Sequence, residues 1–140
     1  SGMADRLLEL SMDYARETFR LGRPLSETQA IQWLLADMGT ELYAARLMLY
    51  HAATQRDQGK RIRLEAAMCK AFASEMISRT VERALEIFGK EGCLSGSTVE
   101  RICRDARVLK IFDGTSEIQR NVIGRTLLKG EKPLAGEAKT

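Results

Sequence analysis

The residues best suited to chemistry lie in one short segment near the C-terminal end. It reads Lys110-Ile111-Phe112-Asp113-Gly114-Thr115-Ser116-Glu117-Ile118-Gln119-Arg120. Gly114 permits a tight turn, and the S-x-x-Q spacing of Ser116 and Gln119 is that of a capping box, which predicts a helix beginning at about Ser116. The Asp113 carboxylate would then lie near the positive end of a helix, where it could abstract a proton.

The same turn could also receive a ligand. The exposed amides of a helix start and the hydroxyl of Thr115 suit an anionic or polar group. The spacing is also typical of an ordinary Asp-Gly turn before a well-capped helix, with no chemistry at all. The residues by themselves leave both interpretations open.

The elements that must position this turn are helical. Apolar residues that recur at steps of three and four predict four or five helices and no strand, over about Met3–Phe19, Ser26–Arg56, Ile62–Phe88, Thr98–Val108 and Ser116–Leu128. The first apolar stripe runs from Leu7 to Phe19, Gly22 and Pro24 break the first helix from the second, and Gly89 stops the third. A second S-x-x-Q pair, Ser26 and Gln29, predicts a capped start for the second helix.

Long helices with short connections predict an all-α fold, an antiparallel up-and-down bundle. With 140 residues the chain is long enough for one domain with a real core. We expect the bundle to occupy residues 1–129 and a flexible tail to occupy residues 130–140. The apolar stripes are wider than one bundle can bury, so two or more copies are expected to associate.

The composition argues against several classes of protein. The net charge of +3 is spread along the chain, which argues against a nucleic-acid partner. No apolar run reaches the length of a membrane span, so no membrane association is expected. A metal centre is not expected either, because His51 is the only histidine and the three cysteines lack metal-ligand spacing. The odd number of cysteines fits a reducing, cytoplasmic location.

Five motifs follow one another along nearly the whole chain, from about Gly2 to Leu128. They are Gly22-Arg23-Pro24-Leu25 with Gln29-Ala30-Ile31, Lys70-Ala71-Phe72-Ala73, Glu86-Ile87-Phe88-Gly89 with Gly92, Arg104-Asp105-Ala106-Arg107, and the segment from Ile111 to Arg120. In this order and spacing they resemble the C-terminal helical domain of the acyl-CoA dehydrogenase family.

The resemblance implies FAD-dependent α,β-dehydrogenation of an acyl-CoA thioester. In that family a carboxylate takes the α-proton while the β-hydrogen leaves as hydride to the flavin. Carried over, the catalytic base is Asp113, and the main chain at Asp113 and Gly114 contacts the substrate carbonyl. Thr115 and Glu117 would lie beside the cofactor. The resemblance also implies self-association as a dimer or tetramer, and an electron-transfer flavoprotein as redox partner.

This chain departs from the family pattern at three places. Asp113 stands where glutamate is usual, and some members carry the base upstream, at a position before Ser1. Thr18 and Leu21 stand where many relatives have arginine and phenylalanine, which leaves Arg20 to supply the positive charge.

The third departure is in the glycine loop, where Glu86 replaces a common glutamine. Lys90 could offset its charge beside a pyrophosphate. The residues expected to contact FAD across a dimer are therefore Arg20, Glu86, Gly89 and Lys90.

Two alternatives accompany the enzyme interpretation. A non-catalytic helical assembly module that has lost cofactor binding is favoured by Thr18, Glu86 and Asp113. The other alternative is a family relative that uses reduced flavin for oxygen chemistry, or that takes a different substrate. The family's N-terminal helical and middle β-domains have no counterpart among these residues, so we expect the chain alone to be inactive.

Overall fold

The computed structural model describes residues 1–133, which form a bundle of five α-helices. The helices are α1 (Gly2–Glu17), α2 (Gln29–Asp57), α3 (Arg63–Phe88), α4 (Thr98–Arg107) and α5 (Ser116–Leu128). Short 3-10 turns lie at Leu25–Glu27, Gly89–Cys93 and Val108–Lys110. Helix α3 is central because each of the other four helices packs against it. The prediction of an all-α helical bundle is confirmed.

The core forms where the apolar stripes of the helices meet. Its largest fully buried apolar side chains come from four different helices, and they are Leu7, Met38, Met76 and Val99. Burying a side chain of this size contributes roughly 1.5–3 kcal/mol. Small residues such as Ala45, Ala67 and Ala84 are also buried, which lets the helix axes approach closely.

The first connection differs from the prediction of no strand. Two short strands, β1 (Phe19–Arg20) and β2 (Arg23–Pro24), pair as an antiparallel hairpin. Leu21 and Gly22 between them have φ of 51° and 81°, the pattern of a type I′ turn. Helix α1 therefore ends at Glu17, and placing Phe19 on its apolar stripe was wrong, because that side chain is 65% exposed.

The predicted helix starts are close, but the predicted caps are wrong. Helix α5 begins at Ser116 as expected, yet its cap is Thr115, whose Oγ1 accepts a hydrogen bond from the Ile118 N–H at 3.4 Å. Helix α2 begins after Thr28, two residues beyond the proposed cap Ser26. In both places a threonine occupies the N-cap position instead of the predicted serine, so the S-x-x-Q spacing did not identify the cap.

An ion-pair network joins α2 to α3. Glu41 accepts from Arg79 Nε at 3.0 Å and lies 3.1 Å from Arg83 Nη1, while Asp37 lies 3.3 Å from Arg83 Nη2. Burial alone would raise the pKa of Glu41, but the hydrogen bonds and charges of Arg83 and Arg79 outweigh it and hold that pKa below its ordinary value. The network fixes the register of the two longest helices.

The bundle ends close to the predicted boundary. Helix α5 ends at Leu128, and Gly130 has a φ of 89°. Residues 134–140, which make up most of the predicted tail, lie outside the described residues. The boundary at residue 129 and the flexible tail stay predictions.

Candidate functional site

The Asp113 turn lies beside a groove between three helices. The groove has a volume of about 750 Å³ and is bounded by the start of α1, the first half of α3 and the start of α5. Its walls are mainly apolar, and its polar side chains include Arg63, Lys70, Asp113 and Gln119. Sites for small molecules commonly have about 300–1,000 Å³ and combine apolar walls with a few polar groups. The groove matches that description.

Asp113 has an unusual backbone conformation. Its φ is 54°, and Leu21 is the only other non-glycine residue with a positive φ among residues 1–133. The left-handed region costs most residues roughly 1–2 kcal/mol, although aspartate enters it more readily than most. The side chain is exposed and its carboxylate makes no hydrogen bond or ion pair with the described residues. Backbone strain of this kind is concentrated at functional sites.

Two side chains hold the turn in place. Lys70 Nζ donates to the Leu109 carbonyl at 2.5 Å and lies 5.2 Å from the centroid of the Phe112 ring. Gln119 Nε2 donates to the Asp113 carbonyl at 3.1 Å. The segment is therefore attached to α3 on one side and to α5 on the other.

The amino end of α5 is partly filled by the chain's own groups. The pKa of the Glu117 carboxyl is lowered, chiefly by a hydrogen bond from its own backbone N–H and also by one from the Thr115 hydroxyl. This carboxylate lies at the positive end of the helix dipole, so a phosphate would be repelled there. A neutral polar group, such as the edge of a heteroaromatic ring, suits Thr115 better.

The other predicted cofactor residues are exposed. Arg20 lies in β1, Glu86 lies in the last turn of α3, and Gly89 and Lys90 follow it. The side chains of Arg20, Glu86 and Lys90 make no hydrogen bond or ion pair with residues 1–133. Gly89 has a φ of 59°, which explains why a glycine ends the helix there.

These exposed residues are far from the Asp113 turn. The Tyr14 ring stacks on Phe88 with centroids 4.2 Å apart, which brings the ends of α1 and α3 together. Ala4, near the start of α1, lines the Asp113 groove instead. About ten helical residues separate Ala4 from Tyr14, which corresponds to about 15 Å at the rise of an α-helix. The predicted residues therefore form two groups, at opposite ends of the bundle.

The groove also contains residues that nothing in the sequence linked to the turn. Lys70 is 39 positions from Leu109, whose carbonyl it binds. No local sequence pattern connects the two residues. They meet only because α3 packs against the turn. The hydrogen bond from Gln119 to the Asp113 carbonyl was not predicted, because the S-x-x-Q pattern assigned the Gln119 side chain to a helix cap.

The described part of the chain lacks two other kinds of feature. Residues 1–133 hold no cluster of three or more histidine, cysteine or acidic side chains able to bind a metal ion. No helix within the same residues combines the length and apolar character needed to cross a membrane.

Known proteins match almost the whole chain. Residues 1–128 match the family described as acyl-CoA dehydrogenase, C-terminal domain. The probable acyl-CoA dehydrogenase YngJ of Bacillus subtilis (strain 168) is 46% identical over 128 residues, which are 91% of this chain and 34% of that protein. The chain thus spans about a third of the length of the curated relatives it matches.

Two solved structures show the same fold. Butyryl-CoA dehydrogenase from Megasphaera elsdenii superposes with a TM-score of 0.88 at 36% identity, over 91% of this chain and 33% of that one. PigA in complex with FAD superposes with a TM-score of 0.87 at 30% identity, over 91% of this chain and 33% of that one. In both, the matched part is a minor share of a larger protein.

Proposed function

Because this chain belongs to the acyl-CoA dehydrogenase family, as its C-terminal helical domain, we propose that it carries the catalytic base of a flavin-dependent enzyme that oxidises acyl-CoA thioesters. The observation that carries this proposal is Asp113, held in a strained turn beside an apolar groove with its carboxylate free. The resemblance assigns the base to the same position.

In the proposed reaction, the Asp113 carboxylate removes the α-proton of the thioester. The Cα–H bond breaks and the proton moves to a carboxylate oxygen of Asp113. A flavin bound here would supply the acceptor for the β-hydrogen as hydride, and the product would carry an α,β double bond. The main chain at Asp113 and Gly114 would hold the thioester carbonyl, and the apolar groove walls would contact the acyl chain.

The residues of this chain fit FAD in two separate parts. At the groove, Thr115 and Glu117 suit the neutral edge of the flavin ring and not its phosphates. At the other end of the bundle, Arg20 and Lys90 can offset Glu86 beside a pyrophosphate. The separation of about 15 Å estimated from the helical rise supports contacts with two different flavins, one of them held mainly by a second copy.

Self-association is supported by an exposed face of α2. Trp33, Tyr43, Leu47 and Tyr50 lie on this face and are between 50% and 66% exposed. Apolar faces of this kind are typical of contacts between proteins, and two identical faces can pair around a two-fold axis. We propose a dimer or a dimer of dimers built partly through this face, which we call the α2 face.

Other parts of the proposal rest on the family and on composition. The electron acceptor is proposed to be an electron-transfer flavoprotein, as the resemblance implies. Cys69, Cys93 and Cys103 are all free thiols, which supports a reducing, cytoplasmic location. Since the chain spans about a third of its relatives, we expect it to be inactive without the remaining domains.

The test is Asp113→Asn in the longest native polypeptide that contains these residues. We expect bound flavin to remain and turnover with an acyl-CoA and a dye acceptor to fall by about 10²–10⁴, the usual contribution of a general base. Flavin absorbance and the rate of dye reduction measure the two quantities. Retained turnover would assign the base to a position upstream of Ser1.

One observation favours the assembly module as a second candidate. Glu86 places an exposed carboxylate among the residues proposed to face the pyrophosphate, and a carboxylate repels a phosphate. If the wild-type polypeptide binds no flavin, this candidate is the correct one.

A further inference from the structure

The side chain of Gln119 folds back over the Asp113 turn. Gln119 is half-buried in the first turn of α5, and its Nε2 donates to the Asp113 carbonyl at 3.1 Å. The same nitrogen would lie only 2.7 Å from a Cβ added at Gly114. Gln119 therefore contacts both left-handed residues of the turn, and it occupies the space that a glycine at position 114 leaves open.

Little else holds Asp113 itself. Its carbonyl accepts no other hydrogen bond from residues 1–133, and its carboxylate has no partner there. Lys70 restrains the preceding segment through the Leu109 carbonyl and the Phe112 ring. The direction of the Asp113 side chain is thus set by a backbone conformation that is unfavourable without the Gln119 contact.

We infer that Gln119 is a positioning residue that aims the Asp113 carboxylate at the substrate, an inference that rests on the proposed function. Gln119 acts through the backbone of Asp113 and takes no proton. When its amide donor is removed, the turn relaxes and the carboxylate moves away from the α-carbon. A displacement of about 1 Å can slow a reaction roughly a hundredfold. Gln119 is one of the polar side chains that line the groove, and the apolar walls proposed to bind the acyl chain keep their residues.

The test compares Gln119→Met with Asn121→Met in the longest native polypeptide that contains these residues. Methionine keeps the length of glutamine and lacks the donor. Asn121 is an exposed residue of the same helix with no side-chain hydrogen bond in the described part, so it is the matched control. The measurements are flavin content, kcat, KM, and the isotope effect on kcat for an acyl-CoA deuterated at the α-carbon.

For Gln119→Met we expect kcat to fall at least about tenfold, with KM changed by less than about threefold. The α-deuterium isotope effect should rise, because cleavage of the Cα–H bond becomes the slower step. A change that only loosened the fold would not raise this isotope effect. Asn121→Met should behave like the wild type.

Gln119→Glu is the second variant, since its ionised carboxylate cannot donate and repels the Asp113 carbonyl. If Gln119→Met loses flavin, Gln119→Glu is the variant that tests the positioning role. An unchanged kcat and isotope effect in a flavin-bound variant would overturn the positioning role, and so would a crystal structure of either variant in which Asp113 keeps its positive φ.

Loss of turnover in Asp113→Asn would still leave Asp113 as the base. Retained turnover in Asp113→Asn would instead contradict the proposed function.

Discussion

At the scale of single residues, the candidate site depends on what glycine and aspartate allow the backbone to do. Gly114 has a φ of 93°, and the segment around it is the one that the sequence marked for chemistry. The turn and the position of the carboxylate were predictable, because Asp-Gly turns before helices have a local cause. The strain at Asp113 was not predictable, because it depends on the Gln119 side chain.

Gly114→Ala is expected to destabilise the chain by about 1–3 kcal/mol, because alanine is strained at this φ and its Cβ would displace Gln119. Gly124→Ala is the matched control, since Gly124 lies within α5 and an added Cβ meets nothing within 4 Å. It should stabilise the chain by up to about 1 kcal/mol, the helix propensity difference. Urea unfolding monitored by circular dichroism measures both, and equal effects would contradict the described turn.

At the scale of elements, the charge network between α2 and α3 makes stability depend on pH. The folded-state pKa of Glu41 lies below its ordinary value, so its ionised form stabilises the fold. This contribution is complete above the ordinary glutamate pKa of about 4.3 and is lost as the pH falls through the lower folded-state value. The pairing of α2 with α3 should therefore weaken in acid.

Glu41→Gln is expected to lower the free energy of unfolding at pH 7 by roughly 1–3 kcal/mol, because Arg83 and Arg79 lose their shared partner. The difference from the wild type should shrink below pH 4, where the wild-type carboxyl also becomes neutral. Glu9→Gln is the control, because its pair with Arg6 is exposed and should contribute less than about 1 kcal/mol. A loss that stays constant from pH 7 to pH 3 would show that charge is not the cause.

At the scale of the whole molecule, the α2 face is one apolar part of the surface that the bundle leaves uncovered. Tyr43→Glu is expected to abolish self-association, because it places a charge within an apolar contact. Leu94→Glu is the matched control, since Leu94 is 60% exposed, close to the 66% of Tyr43, but lies in the loop after α3. Sedimentation equilibrium measures the mass, and a wild-type chain that stays monomeric at all concentrations would contradict the proposal.

The predicted site residues lie in two separate parts of the molecule. Asp113 and Thr115 lie at one end of the bundle, while Arg20 and Lys90 lie at the other. Each residue was assigned from its local motif, and the motifs carry no information on how far apart the residues are. The separation of these residues into two groups follows only from the structure, which shows what packs against each end of α1.

The sequence by itself determined the helices, the stop at Gly89, the glycine turn and the family to which the chain belongs. These depend on periodicity and turn chemistry, which act between residues a few positions apart. Two-residue strands are too short to show an alternating pattern, so the hairpin around Leu21 escaped detection. Only the tertiary structure decided the groove, the hydrogen bonds that Lys70 and Gln119 donate to the turn, and the separation of the predicted site residues into two groups. Those features depend on which helix ends meet, and that is set by the packing of the whole core.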